Sequence, residues 1–180
     1  MNTTPLYIFD LDGTLADLKH RRHFVEKPKC TGCGAEMRHR ICGECGKEGT
    51  TRWKPRWDLF LAACVDDKPI QPIISIMWGL CCLKTEIQIW SGRMETVREQ
   101  TVDWLNQYVS LKYNGPANPI LKMRPAGDYT PDDELKESWL HAMSPEDRAR
   151  LVMVFDDRQR VVDMWRRNGV VCVQVAPGDF

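Results

Sequence analysis

A short apolar run, Leu6 to Phe9, breaks directly into Asp10-Leu11-Asp12-Gly13. A run of that length reads as a strand buried on both faces. Two aspartates flank one residue, and a glycine follows where the backbone must turn. This places carboxylates at the carboxyl end of a strand, where open α/β sheets bind their ligands. Alone, Asp-x-Asp is a common turn. Two further segments change its weight. Glu86 to Trp90 predicts a strand stopped by Ser91-Gly92-Arg93, and Leu151 to Phe155 predicts a buried strand ending in Asp156-Asp157-Arg158. Polar groups therefore converge from three strand ends. The aspartates among them would repel one another without a cation, and hard oxygen ligands in that arrangement suit Mg²⁺.

The intervening segments complete the pattern. Helices are expected over Trp57 to Cys64, over Val97 to Val109 and over Gln159 to Arg167, the last stopping at Asn168-Gly169. The second of these puts Val97, Thr101, Trp104, Leu105 and Tyr108 on one face. Ile73 to Leu83 is apolar nearly all round and predicts a buried helix. Pro131-Asp132-Asp133-Glu134 predicts a helix start with Thr130 as N-cap. Pro119 to Met123 and Val170 to Val175 predict two more strands. Strands alternating with helices imply an α/β class with a mainly parallel sheet, Rossmann-like in plan.

Residues 20–56 break this pattern. They are rich in Gly, Cys and charge and lack periodicity, so they read as a small insert, with 1–19 and 57–180 forming the core. Cys30-Thr31-Gly32-Cys33-Gly34 and Cys42-Gly43-Glu44-Cys45-Gly46 are two Cys-x-x-Cys-Gly turns. Two such knuckles predict a Cys₄ structural Zn²⁺ site with no open position for chemistry. From Lys19 to Arg56 there are eleven basic and four acidic residues, a net +7. The whole chain carries 25 of each sign, so the remainder is −7. A basic module beside an acidic body points to an anionic partner. Within it, Arg52-Trp53-Lys54-Pro55-Arg56-Trp57 interleaves base and aromatic, which suits phosphate contacts with base stacking. The tryptophans would equally serve to pack the insert on the body. His23 and His39 have no matched partners and read as surface residues.

The other cysteines, Cys64, Cys81, Cys82 and Cys172, sit among apolar residues and read as small buried hydrophobes. With no apolar stretch long enough to span a membrane and no export signal, the expected setting is a reduced, cytoplasmic one.

Asp10-Leu11-Asp12-Gly13-Thr14-Leu15 resembles the first motif of the haloacid dehalogenase superfamily of phosphohydrolases. Ser91 resembles the second motif, Lys136 the third and Asp156-Asp157 the fourth, in the required order. The stretches Ile89 to Arg93, Asp132 to Lys136, Phe155 to Arg167 and Gln174 to Phe180 are similar to the 3′-phosphatase domains of bacteriophage polynucleotide kinase-phosphatases. The phage enzymes offer no match for the cysteine knuckles, and this superfamily often carries a cap between its first two motifs.

The resemblance implies an Mg²⁺-dependent phosphatase that removes 3′-phosphate from polynucleotide ends, with 2′,3′-cyclic phosphate as a further candidate. Asp10 would be the nucleophile and Asp12 the general acid–base. Ser91 and the Gly92 amide would hold a phosphoryl oxygen, and Lys136 would offset the charge on Asp10. Asp132, one helical turn before Lys136, would orient it. Asp10, Asp12, Asp156 and Asp157 would hold the metal, with Asp156 favoured over Asp157 as the direct ligand. Arg93, Arg124 and Arg21 would clamp the substrate phosphate. The alternative is a phosphatase of the same superfamily acting on a small nucleotide or another phosphomonoester, with the zinc ribbon as a lid. No Gly-x-x-x-x-Gly-Lys-Ser/Thr loop occurs, so a kinase or ligase partner would be a separate chain.

Overall fold

The computed structural model describes residues 3–37, 39, 41–49, 53–109 and 120–178. Arg52, Pro119, Asp179 and Phe180 of the segments above lie outside them, as do Arg38 and Arg40.

In chain order the elements are β1 (Leu6–Phe9), β2 (Ala16–Asp17), a 3₁₀ turn (Lys19–Phe24), α1 (Trp57–Ala62), a second 3₁₀ turn (Ala63–Asp66) and β3 (Lys68–Pro69). Then come α2 (Gln71–Cys82), β4 (Glu86–Met94), a third 3₁₀ turn (Glu95–Val97), α3 (Arg98–Tyr108) and β5 (Ile120–Arg124). The chain closes with α4 (Asp132–His141), α5 (Pro145–Arg150), β6 (Leu151–Arg158), α6 (Gln159–Arg167) and β7 (Cys172–Gly178). Five strands form a parallel sheet in the order β5-β4-β1-β6-β7. This is the Rossmann-like arrangement expected. The chain builds outward from β1 on one side, then returns to build outward on the other. The crevice at such a reversal lies beyond the carboxyl end of β1.

Alternation along the strands assigns the two faces. Phe9, Ile87, Ile89 and Phe155 pack against Ile74 and Met77 of α2 and Trp104 and Leu105 of α3. Ile8, Trp90 and Val154 pack against Leu135 and Trp139 of α4 and Val161, Val162 and Trp165 of α6. Burial on both faces explains why β1 reads as an unbroken apolar run.

Several elements differ from expectation. α2 is a one-faced helix: Ile76 and Trp78 remain 46% and 41% exposed, although the Trp78 indole donates to the Val109 carbonyl at 3.2 Å. Cys82 shares that side and is exposed, unlike Cys64, Cys81 and Cys172. β4 does not stop at Ser91. Ser91 pairs with Met123 and Met94 with Arg124, so Gly92 and Arg93 form a bulge inside a continuing strand. β6 likewise runs on to Arg158, and β7 spans Cys172–Gly178. The N-cap of α4 is Pro131, without a side-chain cap bond, and Thr130 instead offers its carbonyl to Arg124. α5 was not anticipated. Its Ser144 hydroxyl accepts from the Asp147 amide at 3.0 Å, an ordinary N-cap before Pro145.

Residues 20–24, expected to open the insert, are anchored in the body. Arg21 is fully buried, its guanidinium 4.2 Å above the Phe60 ring of α1. The Arg56 amide donates to the Phe24 carbonyl at 2.8 Å, so the entering and leaving chains meet at that point. Beyond it, the two knuckles repeat one geometry. Gly34 donates to the Cys30 carbonyl at 2.8 Å and Gly46 to the Cys42 carbonyl at 2.9 Å. Both glycines have positive φ, 78° and 72°. No described helix is long and apolar enough to cross a membrane.

Candidate active site

The Asp10 amide donates to the Phe155 carbonyl at 2.9 Å, carrying the β1–β6 ladder one residue beyond the strand. Asp10 and the Asp156-Asp157 pair are therefore neighbours by register. Their ligand atoms lie within 4.8 Å of one another, and all three residues are buried. Gly13, at φ 90°, turns the chain around this cluster. A Cβ there would lie 2.2 Å from Asp157 Oδ2, and one on Gly178 would lie 2.5 Å from the same atom. Two glycines thus make room for a single carboxylate. The Gln174 side chain holds the Asp157 carbonyl at 3.0 Å.

Lys136 reaches in from α4. Its Nζ donates to Asp10 Oδ1 at 2.6 Å and to Asp156 Oδ2 at 2.9 Å, and lies 3.6 Å from Asp132 Oδ2. Burial opposes its charge, but Asp10, Asp132 and Asp156 outweigh that and keep the ammonium protonated. Burial pushes Asp10 well above the ordinary carboxylate range; Lys136 pulls it back, while Asp156 and Asp157 add to the rise. Burial and the Asp156 charge push Asp157 up to about 7. Asp10 and Asp156 share the one ammonium with Asp157 crowded beside them, so the cluster lacks positive charge, and Thr14, which follows Gly13, has a buried hydroxyl without a hydrogen-bond partner. This donor set fits a divalent cation with hard oxygen ligands.

Asp12 is not part of that cluster. Arg93 donates to its carboxylate from Nε at 3.0 Å and from Nη2 at 2.5 Å, and Arg21 from Nη2 at 2.7 Å. Burial alone would raise Asp12, but Arg93 and then Arg21 hold it below its usual value. Both arginines are almost completely buried. Arg124 is engaged too, donating to the Gly92 carbonyl at 2.9 Å, the Thr130 carbonyl at 2.5 Å and Asp132 Oδ1 at 3.1 Å. The clamp role expected of these arginines requires an exchange of such bonds. Ser91 is fully buried, and its Oγ accepts from the Arg93 amide at 3.1 Å. Gly92 cannot carry a side chain without striking Asp132, which would lie 2.5 Å from its Cβ.

The four knuckle cysteines come together as one cluster. Cys30 and Cys45 sulfurs are 3.5 Å apart, and Cys33 and Cys42 sulfurs 3.6 Å. Sulfurs bound tetrahedrally at about 2.3 Å from one ion stand about 3.8 Å apart, close to these separations. All eight cysteines are free of disulfides. Lysine, arginine and aromatic side chains of the insert do not reach the carboxylate cluster in any described contact. Trp57 is 51% exposed, with its ring edge-on to Phe60 at 5.5 Å.

Sequence reasoning missed Asp67, which is buried and bonded to Arg21, Arg93 and His20. In Asp66-Asp67-Lys68 it looks like a solvated charge run. It also missed the part played by Gly178, which lies beyond the expected strand and whose only signal was its place in the family-like stretch Gln174 to Phe180.

The description "Polynucleotide kinase PNKP phosphatase domain" belongs to a family model that matches residues 48–180. Solved structures agree on the fold. A chain of a Pnkp1/Rnl/Hen1 RNA repair complex is 24% identical, with a TM-score of 0.63, covering 100% of this chain and 45% of its own. A chain of a second Pnkp1/Rnl/Hen1 complex is 25% identical, also at 0.63, covering 100% and 49%. A Clostridium difficile protein described only provisionally as a phosphatase is 14% identical, with a TM-score of 0.55 over 96% of this chain and 85% of its own. The chain thus spans about half the length of the chains it matches in those complexes. The family match covers the second, third and fourth motif positions, and the fold places the first beside them: the chain belongs to the polynucleotide kinase-phosphatase phosphatase-domain family of the haloacid dehalogenase superfamily and is a phosphomonoesterase.

Proposed function

We propose that the protein removes 3′-phosphate from polynucleotide ends through an aspartyl-phosphate on Asp10. The observation that carries this reading is the buried Asp10–Asp156–Asp157 cluster sharing Lys136, in a chain of this family. Asp10, Asp156 and Asp157 would hold Mg²⁺, with the carbonyl of Asp12 facing it. Asp156 already accepts from Lys136 and from the Arg158 amide, so Asp157 is the better-placed direct ligand. Bound Mg²⁺ supplies charge neutralisation for the phosphoryl oxygens.

The chain's own residues do the rest. An Asp10 oxygen attacks phosphorus, and the bond to the 3′-oxygen breaks. Asp12 takes up a proton from water, against the pull of Arg93 and Arg21, and gives it to that leaving oxygen. It then takes one from the water that attacks the aspartyl-phosphate, which frees Asp10. Lys136 limits the charge that builds up around Asp10, while Ser91 and the Gly92 amide orient a phosphoryl oxygen. The knuckles would hold a structural Zn²⁺ and present the basic insert, as a cap, to the nucleic-acid backbone. Solved neighbours from an RNA repair complex support a repair setting with a separate kinase or ligase chain.

Turnover at fixed Mg²⁺ on a 3′-phosphorylated oligonucleotide, a 2′,3′-cyclic end and a 3′-mononucleotide tests the substrate. The oligonucleotide is expected to win in kcat/KM, by a margin that shrinks as salt is raised. Equal or better use of the mononucleotide would refute the polynucleotide reading in favour of the small-nucleotide one. For the insert, elemental analysis should find one zinc per chain, lost in Cys33→Ser with the Mg²⁺-dependent chemistry on a small phosphomonoester retained. Purified protein free of zinc yet folded in the insert would sink the assignment.

A further inference from the structure

Asp67 is buried between the second 3₁₀ turn and β3, joined to the site through two arginines. Its Oδ1 accepts from Arg21 Nε at 2.7 Å and pairs with His20 Nε2 at 2.9 Å. Its Oδ2 accepts from Arg21 Nη2 at 2.7 Å and Arg93 Nη2 at 2.5 Å. Its carbonyl accepts from Trp104 Nε1 at 2.7 Å, so the backbone behind it is fixed to α3. The same Arg21 Nη2 and Arg93 Nη2 also reach Asp12 Oδ1. Each guanidinium thus spans from Asp67 to Asp12. The remaining donors are tied down as well: Arg93 Nη1 to Thr101 Oγ1 at 3.4 Å and Arg21 Nη1 to the Phe60 carbonyl at 3.2 Å.

We propose that Asp67 is a positioning residue for Asp12, holding Arg21 and Arg93 as a fixed fork on which the proton-transfer carboxylate is mounted. This inference rests on the reading of Asp12 as the acid–base group. Two arginines and two aspartates balance in charge. Without the Asp67 carboxylate, both guanidinium groups have Asp12 as their one anionic partner in the fork. They would draw it back from the leaving oxygen. A buried ion cluster adds little net stability over apolar packing, whereas a fork with one end on Asp12 sets a geometry. Mispositioning a reacting group is costly in rate.

The test is the single-turnover rate of leaving-group release for Asp67→Asn on two substrates. The leaving group of a 3′-phosphorylated nucleotide is the nucleoside 3′-alkoxide, which needs the proton; that of p-nitrophenyl phosphate is a stable phenolate, which does not. General acid catalysis is worth about 10²–10⁴-fold. Asp67→Asn is therefore expected to slow the first substrate about 100-fold and the second by less than about fivefold. In an Asp12→Asn background it should add no further loss on the first substrate. Equal losses on both substrates in a folded Asp67→Asn protein, no loss on either, or a full additional loss on top of Asp12→Asn would each overturn the proposal. If circular dichroism shows Asp67→Asn unfolded, Arg21→Gln, which cuts the fork from its other arm, takes its place in the same comparison. An active wild type with an inactive Asp10→Asn keeps the phosphatase reading whatever Asp67 does. A wild type that releases neither leaving group ends both.

Discussion

Asp10→Asn is expected to lower phosphate release by about 10⁴-fold or more while the protein stays folded. The substitution keeps the shape of the side chain and removes the attacking oxygen's charge. The neighbouring carboxylates are committed elsewhere, Asp157 to the proposed metal. Asp12 is held by Arg93 and Arg21, and Asp156 by Lys136 and the Arg158 amide. The loss should fall on kcat and kcat/KM together, since covalent bond formation is made only on the way to product. Rapid acid quenching with labelled substrate should trap a covalent phosphoenzyme in the wild type and none in the variant. A folded Asp10→Asn protein that still releases phosphate at a tenth of the wild-type rate would remove Asp10 from the nucleophile role.

Lys136→Met should produce the largest change in stability. The side chain is 1% exposed and serves Asp10, Asp156 and Asp132 at once. Its removal leaves buried carboxylates without a cation, and breaking a buried pair costs about 3–5 kcal/mol. The pH dependence follows from the shifts. Asp10 is raised well above the usual range and Asp157 to about 7. Carboxyls whose folded pKa exceeds the unfolded one bind more protons when folded, so stability falls as pH rises through the window between the two values. The loss in Lys136→Met should therefore be greatest near pH 8 without metal and shrink toward pH 5. Mg²⁺ should recover part of it at pH 8. Urea unfolding at the two pH values, with and without Mg²⁺, is the measurement. An unchanged midpoint at pH 8 without metal would show that the ammonium does not hold this cluster together.

What could be read from the sequence and what could not divides along physical lines. β1 was legible because burial on both faces leaves an unbroken apolar run, and β6, although Val152 on its outer half is exposed, because acids end its apolar run as they end that of β1. The cysteine knuckles were legible because ligand spacing is local. The surroundings of Arg93 were not. Its direction depends on the bulge at Gly92-Arg93, which depends on register with β5. Asp67 acquires its partners from segments 46 and 26 residues away. The exposed face of α2 escaped notice because apolar composition does not tell whether a neighbour exists to cover it. The short helix at Pro145 was overlooked, although Ser144 and Asp147 form a plain capping pattern. Lys136 was visible only through resemblance: a lysine on a polar helix gives no local sign of being buried.

The closure between Arg56 and Phe24 bears on how the chain can be taken apart. Arg21, which touches Asp12, lies on the body side of that bond, and the cysteine knuckles lie on the other. The two strands of chain are already joined at a single backbone bond of 2.8 Å. We propose that the segment beyond it is a graftable module. A short turn in place of residues 27–54 would delete the knuckles without disturbing the fork, and a foreign recognition segment could be mounted on the same stem. The catalytic body would serve as a chassis whose choice of phosphate end is exchanged separately from its chemistry.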